Sequence, residues 1–436
     1  MVDHTATARI QRLVRWLEQF KRCFGHRAQL LSLRTYVQGV FSDSERKSMQ
    51  AMLARVTEPV AYQAFQHFIT HAPWDADRVW RRLRAVIPER RGVLILDGTS
   101  FPKQGPASVG TARQYCGALG KIANCQVATT VALWTGMRAW FLGATLYLPD
   151  TWLTSDQRER ARIPASVDFQ EKWRHALRLL RQVRAAGFSI TAVLGDAEFG
   201  DVTLLRAALH RLRLPYAFGI SSTLTVFVRR PRLILPMPRA GRGRPRTVRR
   251  VAQTDGPLAV REVARGLPRS EWRWIRWRNG TQPSRRARFA TLRVTPATGW
   301  RIGRLAPDVW LLCEREADGD LKYYLIHLPA GTGLRRLVEL THQRWAIEQQ
   351  YQELKSELGL DHFEGRTYPG WQHHVVLTAV AHAYIQRERM RRGATGLTFP
   401  AVRAIVQEIF TALLFAAKPR YMQWMEQAKR ELQLRI

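Results

Sequence analysis

A chain of 436 residues with 46% hydrophobic positions is long enough for roughly two to four structural units around at least one large core. Lysine and arginine number 69 against 35 aspartates and glutamates, a balance of +34 at pH 7 with a sequence pI near 11.3. Such an excess argues against a protein that binds cations or acidic proteins alone and points to a polyanion, with nucleic acid as the leading partner. An anionic membrane surface would require a polybasic amphipathic anchor or a lipidation site, and neither is found. Cys23, Cys116, Cys125 and Cys313 show no CxxC spacing, so neither a zinc site nor a disulfide framework is expected. The first residues lack an apolar core of the signal-peptide kind, and no run of about 18 apolar residues is expected to cross a membrane, so the expected compartment is the cytoplasm.

In chain order, helical period is expected over Arg9 to Phe24, Leu30 to Phe41, Ser44 to Val56, Pro59 to Thr70 and Asp75 to Val86. Start signals stand at Ser42-Asp43-Ser44-Glu45 and Thr57-Glu58-Pro59. The helical unit 1–88 reads as a DNA-binding module or as a plain cap on the core. Val93 to Asp97 is an apolar run closed by a carboxylate and Gly98, as expected of a buried central strand whose end faces a site. The loop Phe101 to Gln126 is expected to present Lys103, Arg113 and Lys121 to phosphates, and its glycine clusters do not fit a nucleotide-binding loop.

Val127 to Trp134 and Trp140 to Leu148 read as an antiparallel hairpin, and Phe169 to Ala186 as a helix stopped by Gly187. Ile190 to Asp196 repeats the pattern of apolar strand and terminal aspartate, with Glu198 and Asp201 as rival acids in the turn beyond. A helix (Asp201 to Leu212) and a strand (Tyr216 to Ile220) follow. This order fits a mixed α/β core of the ribonuclease H-like kind, with neighbouring first and fourth strands bringing Asp97 and Asp196 together. Boundaries are expected at 1–88, 89–221, 222–325, 326–395 and 396–436: helical module, core, basic β-rich insertion, core with its acidic helix, and helical tail.

The insertion contains Arg229 to Arg250, with nine arginines, four prolines and no acid. Within it Arg242-Gly243-Arg244-Pro245 resembles an AT-hook, which lays arginines along a narrow minor groove, and a solvated linker is the plain alternative. Trp272, Trp274 and Trp277 alternate with Arg273, Arg276 and Arg278, a pattern suited either to stacking on unpaired bases or to one buried strand face. Thr341 to Lys355 reads as one amphipathic helix that puts Arg344, Glu348 and Lys355 within about 40° of one another and turns Glu353 about 140° from Glu348. His373 and His374, adjacent on a helix, point about 100° apart and cannot clamp one ion, so phosphate contact or exposure is expected of them. Helices are expected over Val375 to Arg387, Phe399 to Ala416 and Tyr421 to Leu434.

Thr341-x2-Arg344-x3-Glu348-x6-Lys355 resembles the third-carboxylate element of bacterial insertion-sequence DDE transposases, in the branch marked by Tyr-x2-Arg-x3-Glu-x6-Lys, with Thr341 in place of the tyrosine. The resemblance runs from about Arg34 to Ala383 and includes Leu96-Asp97-Gly98-Thr99, Ala112 to Gly117, Gly365-Arg366 and Gly370-Trp371. It implies a ribonuclease H-like fold and cut-and-paste transposition by a homodimer on DNA, acting on terminal inverted repeats and target DNA. It further implies Asp97, Asp196 and Glu348 as catalytic ligands of two Mg²⁺ ions, with Mn²⁺ as substitute. The oxygen donors agree with hard divalent cations, and Arg344, Lys355, Arg366 and Trp371 join the expected DNA contacts. The alternative is a catalytically silent or domesticated DNA-binding relative.

Overall fold

The computed structural model describes residues 4–235, 249–252, 256–277, 286–394 and 396–418, together with Gln423, Gln427 and Arg430. They fall into two compact units, one of Met1–Arg90, Gly98–Phe188 and Ile347–Ile436, the other of Arg91–Asp97 and Ser189–Ala346. Arg242 and Arg244, and most of the helix expected over Tyr421 to Leu434, lie outside the described residues.

The first unit opens with helices α1 (His4–Glu18), α2 (Arg27–Val40), α3 (Met49–Ala54), α4 (Tyr62–Thr70) and α5 (Ala76–Val86). Neither expected start signal begins a helix. Ser48 caps α3, its hydroxyl accepting from Ala51 N at 3.2 Å, and α4 starts only at Tyr62. The buried Lys47 ammonium donates to the carbonyls of Ser42 and Ser44 at 2.7 Å each, so this segment wraps a cation instead of winding into a helix. Strand β1 (Arg91–Pro102) runs through both units, so Asp97 lies inside a strand and not at its end as expected. The expected loop after it forms a hairpin of β2 (Ala112–Cys116) and β3 (Lys121–Trp134), with Gly120 at φ +63 allowing the turn. β4 (Ala139–Leu146) pairs antiparallel with β3. α6 (Ser155–Ala161) and α7 (Lys172–Ala185) follow, α7 burying Ala176, Leu180 and Val183 and stopping at Gly187.

The second unit is a mixed sheet. β5 (Ser189–Gly195) pairs parallel with the first half of β1 and with β6 (Tyr216–Ile220), and the short α8 (Ala197–Gly200) and α9 (Thr203–Arg211) connect them. The later strands are β7 (Thr225–Phe227), β8 (Leu233–Ile234), β9 (Arg250–Val251) and β10 (Leu258–Ala259). Helix α10 (Val260–Arg265) precedes β11 (Arg273–Arg276), β12 (Arg286–Pro296), β13 (Val309–Arg315) and β14 (Leu321–His327). β14 pairs antiparallel with β6, and β13, β12, β7 and β10 continue outward, so the inserted strands extend the sheet.

The single helix expected over Thr341 to Lys355 is broken. α11 (Leu334–His342) ends, Gln343 and Arg344 form a turn, α12 (Trp345–Gln352) begins, and Glu353–Glu357 winds as a π-helix. In the first unit α13 (Tyr368–Glu388) is buried over most of its length and packs against α2, α4, α5 and β4. α14 (Phe399–Ala417) buries Val402, Val406, Phe410 and Leu414. By length and composition alone α14 would pass as a membrane span, with a mean hydropathy of 1.5, although Arg403 and Glu408 interrupt it, so it is not an unbroken apolar run of that length.

Candidate active site

β1 is apolar through Val93, Leu94, Ile95 and Leu96, all buried, which is what a strand covered on both faces requires. Its register with β5 runs through Leu94↔Val193 and Ile95↔Leu194. Two residues farther on β1 carries Asp97, while β5 ends at Gly195 and Asp196 follows directly after it. Asp196 caps α8, its Oδ1 accepting from Glu198 N at 3.0 Å. Gly200 lets α8 lie flat, because a Cβ there would stand 1.8 Å from the Gly219 carbonyl oxygen on β6.

The turn between α11 and α12 places Arg344 Nη1 3.2 Å from Asp97 Oδ1. Burial pushes the Asp196 carboxyl above its ordinary value, while the Arg344 guanidinium and the amides of Glu198 and Phe199 pull it back and the Glu198 charge adds to the rise. Arg344 therefore acts on both aspartates. The rival Asp201 is otherwise engaged, its Oδ1 accepting from Ser221 N at 3.0 Å.

Beside this turn stands a network that the sequence does not reveal. Glu314 on β13, 1% exposed, accepts from Tyr324 OH at 2.9 Å and meets His342 Nε2 at 3.2 Å. His342 Nδ1 faces the Val338 carbonyl at 2.9 Å, so each ring nitrogen lies against an acceptor oxygen. Burial by itself would raise the Glu314 carboxyl, but the His342 and Tyr324 hydrogen bonds and the His342 charge hold it below its ordinary value. The indole of Trp277 covers His342 at 4.2 Å between centroids. Thr341, standing where relatives of the resembled branch carry tyrosine, donates within its own helix to Leu337 O and Val338 O at 3.2 and 2.9 Å.

In the first unit Glu348 is exposed on the first turn of α12. Glu353 is buried and accepts from His382 Nε2 at 3.0 Å and Gln386 Nε2 at 2.9 Å, so the two glutamates face opposite surroundings. The Lys355 ammonium donates to Ser100 O at 2.9 Å and lies 5.3 Å from the Phe101 ring and 5.8 Å from the Tyr351 ring. Tyr351 OH is 2.5 Å from Thr130 Oγ1. Lys355 thus ties the π-helix to the second half of β1 in addition to any contact with DNA.

The other expected contacts divide. Lys103 and Arg366 line a groove of about 780 Å³ with Arg46, Asn124 and Glu364, and burial lowers the Lys103 pKa. Arg113 and Lys121 are exposed on the β2–β3 hairpin. Trp371 is not a surface residue: it is 2% exposed, edge-on to Phe101. His373 and His374 are also buried, against expectation, His373 between the carbonyls of Ile69 and Trp74 and His374 against Tyr36 OH at 2.8 Å and Leu360 O at 3.0 Å. Helix α13 is enclosed on all sides, so both of its faces carry core residues. Among the described residues no group of three or more His, Cys, Asp or Glu is clustered as a metal site. Asp97 and Asp196 offer the hard oxygen donors that a divalent cation of the magnesium kind takes.

Two acidic side chains, Asp97 on β1 and Asp196 directly after β5, both acted on by Arg344, mark an acidic site in a mixed α/β protein of strong positive charge. The chain belongs to the DDE superfamily endonuclease family, whose sequence model matches residues 19–284. That match takes in Asp97 and Asp196 and ends before Glu348. The chain is also similar to a protein of Microchaete diplosiphon described as a probable transposase for insertion sequence element IS701. The two are 31% identical over 189 residues, 42% of this chain, and the chain spans about half of that relative's length, 47%. Among solved structures it is similar to a piggyBac transposase synaptic complex with hairpin DNA, at 9% identity and a TM-score of 0.45, over 91% of this chain and 73% of the other, a likeness too slight to define the fold.

Proposed function

We propose that the protein is a DDE transposase that hydrolyses phosphodiester bonds at the ends of a DNA element and joins the freed ends to target DNA. The observation that carries this reading is Arg344 on Asp97 and its charge acting on Asp196, in a chain of the DDE superfamily endonuclease family. Asp97, Asp196 and Glu348 are the catalytic carboxylates, Glu348 being supported by the Arg344-x3-Glu348-x6-Lys355 spacing. Parallel β1, β5 and β6 in one unit and the antiparallel β3–β4 pair in the other support a ribonuclease H-like core, and the division at 1–88, 89–221, 222–325, 326–395 and 396–436 remains its functional map.

The three carboxylates would hold two Mg²⁺ ions, or Mn²⁺ in their place, which when bound supply activation of water and stabilisation of the leaving 3′-oxygen. Arg344 orients the Asp97 carboxylate, and its guanidinium would also meet a phosphate. Lys103 and Arg366 in the groove, Arg113 and Lys121 on the hairpin, and Arg242 and Arg244 serve the DNA backbone. The protein works as a homodimer holding both element ends, in the bacterial cytoplasm at the nucleoid.

The test is cleavage of a duplex carrying the element's terminal inverted repeats, with Mg²⁺ or Mn²⁺. Asp97→Asn, Asp196→Asn and Glu348→Gln are each expected to abolish cutting while duplex binding stays within about twofold. Binding without cutting by the unmutated chain would instead identify a silent DNA-binding relative.

A further inference from the structure

The inserted strands carry an arginine surface with no evident use inside the protein. In the β11–β12 pair Trp274 stands opposite Arg288 and Arg276 opposite Arg286, and in the β12–β13 pair Arg288 stands opposite Arg315. Directly opposed residues share a face of the sheet, so the four arginines and Trp274 lie on one side. Two of the pairs oppose like charges, Arg276 with Arg286 and Arg288 with Arg315, an arrangement that costs a sheet stability. None of the four forms an ion pair with a described carboxylate. The two acids flanking Arg315 are occupied: Glu314 accepts from Tyr324 OH at 2.9 Å, and Glu316 pairs with Lys322 at 2.5 Å.

The aromatic rings explain how this face is held. Trp274 is 54% exposed, yet its ring is already engaged, with the guanidinium carbons of Arg286 and Arg288 at 5.3 and 5.0 Å from its centroid. Arg315 likewise lies 4.2 Å from the buried Trp272 ring. A guanidinium resting on a ring keeps its N–H edge turned outward and loses little further freedom when it meets a planar oxyanion. The alternation read from the sequence as base stacking or core is therefore neither at Trp274.

We propose that this face grips the sugar-phosphate backbone of duplex DNA, with Trp274 as the platform that holds Arg286 and Arg288. Phosphate is favoured over an unpaired base because the indole already carries two guanidiniums, and a polyanion removes the like-charge cost that the free protein bears. The reading of the protein as a DNA-acting enzyme enters only in naming the polyanion.

The experiment titrates the full chain with a labelled duplex of random sequence and with one of its single strands, from about 50 to about 200 mM salt. In Arg286→Ala and Arg288→Ala the slope of log affinity against log salt should fall by about 0.9 for each guanidinium removed. Trp274→Ala, which removes no charge, should weaken duplex binding too, and Trp274→Phe should restore it. Without DNA, the thermal midpoint of Arg288→Ala should stay level or rise, which separates lost contact from lost fold. Unchanged salt slopes overturn the proposal, as does a loss in Trp274→Ala confined to the single strand. A failure of the unmutated chain to bind duplex at all would instead overturn the DNA reading itself.

Discussion

Asp97 and Arg344 are 247 positions apart in sequence and 3.2 Å apart in space, and the turn that joins them is held from behind by Glu314 and His342. Replacing the buried Glu314 carboxylate by an amide removes its charge and leaves one accepting oxygen where His342 and Tyr324 use two. Glu314→Gln should therefore lower the denaturant midpoint at pH 7. Because the folded pKa of Glu314 is depressed, its contribution is complete above the ordinary value of 4.5 and is lost as pH falls through the folded value. The gap between the two proteins should thus close below pH 4.5, as denaturant midpoints at stepped pH would show. A gap independent of pH would leave the pair without an electrostatic role. Nothing in the local pattern around Glu314 distinguishes it from a surface acid, and only the packing of β13 against α11 singles it out.

Among the elements, α8 is the smallest that matters for the site, since it carries the chain away from Asp196 immediately after the strand. Its contact with β6 leaves no room for a side chain at Gly200. Gly200→Ala should force α8 off the sheet and cost about 1–3 kcal/mol, the usual penalty of overpacking, together with most of the cleavage activity. Full activity at unchanged stability would show that Asp196 does not depend on α8. The strands were largely legible beforehand: β3, β4, β5, β6, β12 and β13 follow apolar runs whose composition suits only a buried sheet. The helix around Glu348 was less so. Its continuous helical period concealed a turn at Gln343 and Arg344, because periodicity reports which residues seek the core and not whether the axis bends between them.

At the scale of the whole molecule, both units bury histidines. Burial holds His175, His210 and His374 down at about 4 and also lowers His327, His362 and His373. Between the ordinary value of 6.5 and about 4 the unfolded chain takes up protons that the folded chain refuses, so stability is lost as pH falls across that window. Guanidinium midpoints measured from pH 7.5 to 4.5 should drop steadily, and less steeply in His374→Phe. A flat profile would mean that these rings accept protons where they are.

The strong positive charge, the mixed α/β pattern and the candidate acids at positions 97, 196 and 348 are legible in the chain read on its own, because charge, apolar run length and spacing are local properties that survive without contacts. The folded protein settled which cations are committed elsewhere. Lys47 fills its own loop, Lys355 holds the second half of β1, His373 and His374 stay in the core, and Arg286 with Arg288 is set on Trp274. Except at Lys47, whose partners Ser42 and Ser44 are close in sequence, those assignments depend on partners distant along the chain, and desolvation and hydrogen-bond satisfaction act only once such partners are packed together.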